Sequence, residues 1–236
     1  MTQVPAEYYK DYWRDQEGVR DKRKYYDRLY SHLKPRLEAA VRSASRILDI
    51  AGGNGHFMKY LGAYSVDILD ISESGLAAAK ASGFRPIQGD IQKRFPIEPE
   101  TYDAVFLFEV LEHLHHPNLT LAEANQVLKK GGALYVGQPN MPADGTHHVR
   151  RYYLKPLLDD LQKAGFKIDW LDYVPAYSMR DSIWSDIRKK NKPLHRRAIQ
   201  CVNLMLSFLP FAVRYRLAHI WPDRFALMFV LKASKK

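Results

Sequence analysis

Apolar residues in this chain fall into two rhythms that alternate along its length. Between residues 46 and 136 there are short, nearly unbroken apolar runs: Ile47, Leu48 and Ile50; Val66, Ile68 and Leu69; Tyr102-Asp-Ala-Val-Phe-Leu-Phe108; and Ala133 to Val136; Phe84 to Gln88 suggests a further short strand. Runs of this length bounded by turn residues are the mark of strands buried on both faces of a parallel sheet. Between them the spacing becomes helical, from about His56 to Leu61, from Ser72 to Ala81 and from Leu119 to Leu128, the last ended by Gly131-Gly132. Strand and helix in strict alternation predict an α/β, doubly wound architecture. A further helix over 154 to 164, a strand over 166 to 173 and a last strand over 225 to 231 extend it. Ahead of the first strand, residues 6 to 42 read as helices, because Tyr8, Tyr9, Tyr12 and Trp13, then Tyr25, Tyr26, Leu29, Tyr30 and Leu33, recur at helical spacing among charges. Residues 1 to 43 are therefore expected to cap the sheet.

Composition narrows this to one domain, since 236 residues with 46% apolar content can bury one sizeable core. The lone Cys201 has no disulfide or zinc partner, and no signal-peptide pattern opens the chain, so a reducing, cytoplasmic setting is expected. The net charge of +10 matters for its distribution: residues 180 to 236 carry 13 Lys and Arg against three Asp, while the first 179 balance at 23 against 23. This charge falls mostly in residues 174 to 224, which read as an insertion between the last two strands. Ile183, Trp184 and Ile187 lead into Arg188-Lys-Lys-Asn-Lys192 and His195-Arg-Arg197, and an apolar run from Ile199 to Val213 is broken by Pro210. The run is shorter than the ~20 residues a membrane span needs. Two readings stand: a helical lid whose apolar face is core, or a peripheral contact with an anionic membrane, at the inner face, through cations beside an apolar stripe.

The candidate chemistry begins where the first strand meets Ala51-Gly-Gly-Asn-Gly55. Strand, glycine turn and helix N-terminus form a corner that binds ribose and anions in doubly wound sheets. A dinucleotide loop would carry a third glycine three residues past Gly55, where Met58 stands instead. An acidic residue, Asp70, closes the second strand about twenty residues past Asp49, in position to accept ribose hydroxyls, with Ser72 free to cap the following helix.

With Asp49, Ala51, Gly53 and Gly55 in this pattern, the chain resembles the class I S-adenosylmethionine (SAM) methyltransferases. An alanine replaces the first glycine of that motif; it fits without strain if its φ is negative, with Gly52 beside it to supply the missing freedom. The resemblance covers roughly residues 45 to 173 and 225 to 232, and implies a Rossmann-like seven-stranded sheet closed by a C-terminal antiparallel strand. It implies SAM as cofactor, S-adenosylhomocysteine as product, and cofactor contacts from Asp70 and Ile71, from Asp90 and Ile91 toward the adenine, and from Phe108 and Glu109 across the site. Within this family the chain is most similar to the branch of ubiquinone-pathway O-methyltransferases and small-RNA 2′-O-methyltransferases, which share Glu109-Val-Leu-Glu-His113 and a later histidine, here His148.

Three roles are open for Glu109, Glu112 and His113: hydrogen bonding that shapes the loop, general base chemistry at His113, or a divalent-metal site completed by His148. His115 and His116 read as solvated loop residues. The loop over 139 to 148 delivers His147, His148, Arg150 and Arg151 to the sheet edge where substrates sit. His113 and His148 are the expected catalytic pair. No Asn-Pro-Pro-Tyr or Asp-Pro-Pro-Tyr run is present, so oxygen is the expected acceptor atom. The acceptor is then a small-molecule or lipid-linked glycan hydroxyl, with an RNA ribose as alternative and SAM binding without catalysis as a third reading.

Overall fold

The structure, a computed structural model, describes residues 22–140, 148–176, 205 and 208–236. Two helices, α1 (Arg23–Tyr30) and α2 (Lys34–Ser43), precede β1 (Ile47–Ile50), α3 (His56–Tyr60), β2 (Val66–Asp70), α4 (Glu73–Ala81), β3 (Arg85–Gln88) and β4 (Tyr102–Phe108). After a 3-10 turn at Leu111–His113 come α5 (Pro117–Val127), β5 (Leu128–Pro139), α6 (Leu154–Lys163), β6 (Phe166–Pro175), α7 (Phe211–Ile220), α8 (Pro222–Phe225) and β7 (Ala226–Lys235). The strands form one sheet in the order β3-β2-β1-β4-β5-β7-β6. The first five are parallel, and β7 runs antiparallel to both β5 and β6.

The alternation of side chains along each strand divides the core in two. Leu48, Ile50, Leu107, Leu134, Val136 and Phe229 face one side, where Leu121, Ala124 and Val127 of α5 and Leu157 and Leu161 of α6 cover them. Ile47, Ile68, Phe106, Tyr135 and Val230 face the other, under Leu29, Tyr30, Leu37, Phe57 and Leu76 of the first four helices. Burial on both faces explains why these strands read as apolar runs rather than alternating ones. Helix α4 starts as its sequence predicts, with the Ser72 hydroxyl accepting from Gly75 N–H and Glu73 in the first turn.

One boundary differs from the sequence reading. Gly131-Gly132 does not end a helix: α5 stops at Val127, and β5 already pairs through Leu128 opposite Tyr102, then bulges before resuming at Ala133 opposite Ala104. Gly131 lies inside that bulge at φ +72. β6 also runs two residues further than its apolar pattern, to Pro175, because β7 pairs with it to the end. Among the described residues no helix is long and apolar enough to cross a membrane. The basic runs at 188–192 and 195–197, with Tyr8, Tyr9, Tyr12, Trp13, His147 and Cys201, lie outside the described residues.

Candidate functional site

The C-terminal ends of β1, β2, β4 and β5 lie along one edge of the sheet, where the crevice of a doubly wound fold forms, and the glycine loop follows β1 there. Ala51 N–H donates to Leu69 O (2.7 Å) and Gly55 N–H to Gly52 O (2.9 Å), which folds the loop back over the strand ends. Gly53 and Gly55 take φ +53 and +74, as a turn of this kind requires. Ala51 departs from expectation: its φ is +57, not negative. A Cβ in this region costs about 1–2 kcal/mol, and the two hydrogen bonds that fold the loop hold the residue there. Gly52 does not relieve this; its missing Cβ leaves room for the Asp49 carboxylate, which any side chain at 52 would strike.

Asp70 ties the loop to the second strand. Its carboxylate accepts Gly53 N–H through one oxygen and Ser72 N–H through the other, both at 2.8 Å. Burial raises its pKa against the lowering effect of those backbone donors. Asp49 is buried beside it, and burial, then the Asp70 charge, pushes it up to about 8. Neither carboxylate meets a cation among the described residues. Further along, Asp90 accepts Gln92 N–H at 3.0 Å and pairs with Lys93 at 3.4 Å, while the Ile91 carbonyl accepts the Thr120 hydroxyl and its side chain packs on the core edge. Ile71 follows Asp70 half-buried.

Across the crevice, the segment after β4 splits. Phe108 lies 4.5 Å from the Phe57 ring and 5.7 Å from Tyr30, over Gly137, where a Cβ would collide with it. Glu109, at φ +57, turns to α1 and accepts the hydroxyls of Tyr25 (2.8 Å) and Tyr30 (2.9 Å). Burial first, then the Glu109 charge, holds the Tyr30 phenol well above its ordinary pKa, so it stays a donor. Glu112 takes the opposite direction. Its side chain is 2% exposed and accepts from the Gln138 amide at 3.3 Å. His113 Nε2 lies 3.7 Å from its other oxygen, and the His113 and His148 rings are 5.0 Å apart. Burial raises Glu112 to about 8, with a smaller push from Glu109 and opposing hydrogen bonds. Ligand atoms of Glu112, His113 and His148 all lie within 4.8 Å of one another. The expected group of four is therefore a group of three, with Glu109 engaged by tyrosines.

Residues 148 to 154 are stitched over this group. Val149 and Arg150 N–H donate to Glu112 O (2.9 and 3.3 Å), and the Arg150 guanidinium donates to His115 O at 2.6 Å. His115 is thus half-buried rather than a solvated loop residue, while His116 is exposed. Arg151 donates to the Asn140 side chain (3.0 Å) and to Asp223 O (3.3 Å), and the Asp223 carboxylate accepts Leu154 N–H at 2.8 Å.

Residues 48–136 match the methyltransferase domain family. Over that stretch the chain is similar to class I SAM-dependent methyltransferase domains. Among its relatives are the tRNA U34 carboxymethyltransferase of Methylococcus capsulatus, 32% identical over 156 residues, with 56% of this chain and 48% of that protein covered. The ubiquinone/menaquinone biosynthesis C-methyltransferase UbiE of Bordetella parapertussis is 36% identical over 108 residues, covering 42% of each. The chain spans about half the length of these curated relatives. A SAM-dependent methyltransferase of Thermotoga maritima superposes with a TM-score of 0.57 at 17% identity, over 95% of this chain and 99% of that one. The [4+2]-cyclase SpnF does so at 0.53 and 19%, over 85% and 80%. At such identities the likeness is one of fold, and SpnF is a reminder that the fold does not set the reaction.

The residues of this methyltransferase domain suit SAM on chemical grounds. SAM carries a sulfonium and an ammonium, and Asp49 and Asp70 are two buried carboxylates with no cation to match them. Each carboxylate oxygen has a second acceptor direction, so Asp70 can take ribose hydroxyls while keeping its backbone donors. Sequence reasoning missed Gln138, wholly buried with its amide oxygen unpartnered, and the Asn140–Arg151–Asp223 tie. The only local signal was Gln138-Pro139-Asn140 closing an apolar strand.

Proposed function

We propose that the protein transfers a methyl group from SAM to a hydroxyl of a small-molecule or lipid-linked acceptor, and that Glu112, His113 and His148 act on the acceptor oxygen. The observation that supports this reading is their convergence within 4.8 Å, beside the strand ends that carry Asp49 and Asp70. Bound SAM supplies a methyl carbon made electrophilic by its sulfonium. The glycine loop and Asp70 hold the ribose end, and the acceptor hydroxyl approaches from the Glu112 side. The acceptor gives its proton to the imidazole of His113 or His148 as the new O–CH₃ bond forms. The S–CH₃ bond breaks with its electron pair kept by sulfur, leaving S-adenosylhomocysteine. Glu112 faces His113 and, in its ionised form, steadies the imidazolium, and alignment supplies most of the acceleration. The same three donors are also a set that a divalent ion accepts, and loss of turnover on chelation would separate the two versions.

A second reading, methylation at a ring carbon activated by loss of a phenolic proton, is favoured by the quinone-pathway C-methyltransferases among the relatives. RNA as acceptor is favoured by the tRNA-modifying relative. The test is methyl-labelled SAM with lipid extract, polar metabolites and RNA as separate acceptor fractions, followed by mass spectrometry of the product. Label on an oxygen of a lipid or metabolite carries the proposal. Label on carbon or in RNA replaces it, and tight SAM binding with no transfer to any fraction reduces the protein to a SAM-binding one.

A further inference from the structure

We infer that the outward face of α7, with the turn into α8, is a docking surface for an anionic lipid bilayer. The sheet-facing side of α7 carries buried Ala218 and half-buried Tyr215, whose hydroxyl donates to Asp172 at 2.6 Å; Phe211 and His219, both exposed at its edges, lie 5.3 Å from the His32 ring and 4.6 Å from Tyr173. The opposite side, one helical turn apart, presents Val213, Arg216 and Ile220, with Leu217 half-buried beside them. Val213 is 40% exposed and Ile220 62%, and Trp221 follows at 54%. Phe208, just before the helix, is 78% exposed. Aliphatic and aromatic side chains grouped on the water side of a helix end mark a surface that something covers.

The charge around the patch selects the occupant. Arg216 and Arg224 are exposed and form no ion pair among the described residues. The one acidic residue of 208–225, Asp223, is turned inward: its carboxylate accepts Leu154 N–H and its carbonyl accepts Asn140 and Arg151. The face therefore offers hydrocarbon and uncompensated positive charge together. Two copies of it would repel, and nucleic acid has stacking faces and phosphates but no use for Val213 and Ile220. An anionic bilayer matches both features, with aliphatic residues entering the acyl boundary, arginines on headgroup phosphates, and Trp221 at the depth such rings prefer. The surface also adjoins the segment that carries His148, since Arg151 and Leu154 are bonded to Asp223. A bilayer at this face would lie beside the acceptor crevice. The inference stands apart from the proposed reaction, because it concerns adsorption and not turnover.

The experiment is co-sedimentation of the full chain with phosphatidylcholine vesicles, with and without phosphatidylglycerol, at low and high salt. The wild type should pellet with the anionic vesicles at low salt, weakly with neutral ones, and less as salt rises. R216Q/R224Q should reduce anionic partitioning by roughly 30-fold, about fivefold for each cation lost. V213E/I220E should abolish it, with far-UV circular dichroism and SAM affinity unchanged in both variants. The arginine variant touches only exposed side chains, so it remains a test even if the glutamate variant misfolds. Failure of the wild type to bind anionic vesicles at low salt overturns the inference, as does binding that both variants retain. So does a concentration-dependent dimer, or an RNA gel shift, that disappears in these same variants while vesicle binding does not.

Discussion

Asp70 and Glu112 are both buried carboxylates at the C-terminal edge of one sheet, and they are held in opposite ways. Asp70 is gripped by main chain: Gly53 and Ser72 N–H groups fix both oxygens. Glu112 takes one main-chain N–H, its own, and otherwise meets side chains, the Gln138 amide at 3.3 Å and the His113 ring 3.7 Å away. On the cofactor wall, then, geometry follows from the path of a tight loop between β1 and β2, and side chains are few. On the acceptor wall, geometry depends on pieces brought from β4, β5, the 148–154 segment and α1. A backbone-built wall suits an invariant ligand such as SAM, and a side-chain-built wall can be re-cut for another acceptor without disturbing it.

If the walls are separable, the largest effect should come from the acceptor wall and leave the cofactor wall untouched. His148→Ala is expected to lower turnover on the true acceptor by ~10²–10⁴-fold, the usual worth of a positioned base, with SAM affinity unchanged by calorimetry. Full turnover in both His148→Ala and His113→Ala would reduce the group to loop-shaping. Next in size, Asp70→Ala should weaken SAM binding by ~1–3 kcal/mol and lower the melting temperature, because Gly53 and Ser72 N–H groups lose their acceptor as well. Acceptor KM should move little. Unchanged SAM affinity would remove Asp70 from the cofactor site.

The same division explains what could be read in the sequence. The cofactor wall is local: Asp49 to Ser72 contains the loop, both carboxylates and the cap, and the parity of Ile47 against Leu48 and Ile50 already assigns the two faces of the sheet. The acceptor wall is not local. Glu109 is claimed by Tyr25 and Tyr30, 84 and 79 positions away, which no spacing rule within the Glu-x-x-Glu-His run could announce. Asn140 and Asp223 are joined across 83 positions in the same way. Two local features also escaped. The φ of Ala51 is set by the fold of its loop and not by its own preference, and β5 begins at Leu128 because β4 offers it a pairing partner through the glycine bulge.

Titration separates the walls by their linkage to SAM. Burial, then the Asp70 charge, raises Asp49 to about 8 in the free protein, so Asp49 binds a proton that the unfolded chain has already lost. Free-protein stability should therefore fall as pH rises from the ordinary carboxylate range toward 8, by up to ~1.4 kcal/mol per unit for such a group. A cationic ligand favours the ionised carboxylate, so SAM affinity should instead rise over the same window, by up to about tenfold per unit, and level off above 8. The thermal shift produced by SAM should thus grow from pH 6 to pH 8, and Asp49→Asn should flatten that growth. Glu112 is also raised to about 8 and contributes to the free-protein slope, but it sits on the acceptor wall and should leave the SAM-linked slope alone. A SAM-induced shift independent of pH in the wild type would place Asp49 away from the ligand's charge.

The smallest expected effect comes from a backbone conformation the two walls share. Ala51 and Glu109 both lie at φ +57. At Ala51 the side chain gives little back: it is a single methyl group, half-buried against the core beside Gly52 and Gly53, and it carries the ~1–2 kcal/mol cost of the left-handed region. Replacing it by glycine removes that cost but frees the unfolded chain by ~0.4–1 kcal/mol, so Ala51→Gly should stabilise the protein by ~0.5–1 kcal/mol in urea melts. SAM affinity should hold or improve slightly, since the loop path is unchanged. At Glu109 the same φ is offset by two tyrosine hydroxyls bonded to the carboxylate. Glu109→Gly relieves the backbone and discards both bonds, each to a charged group, so it should destabilise despite the relief. If Ala51→Gly destabilised the protein as Glu109→Gly does, the packing of the alanine methyl against the core would outweigh its backbone cost.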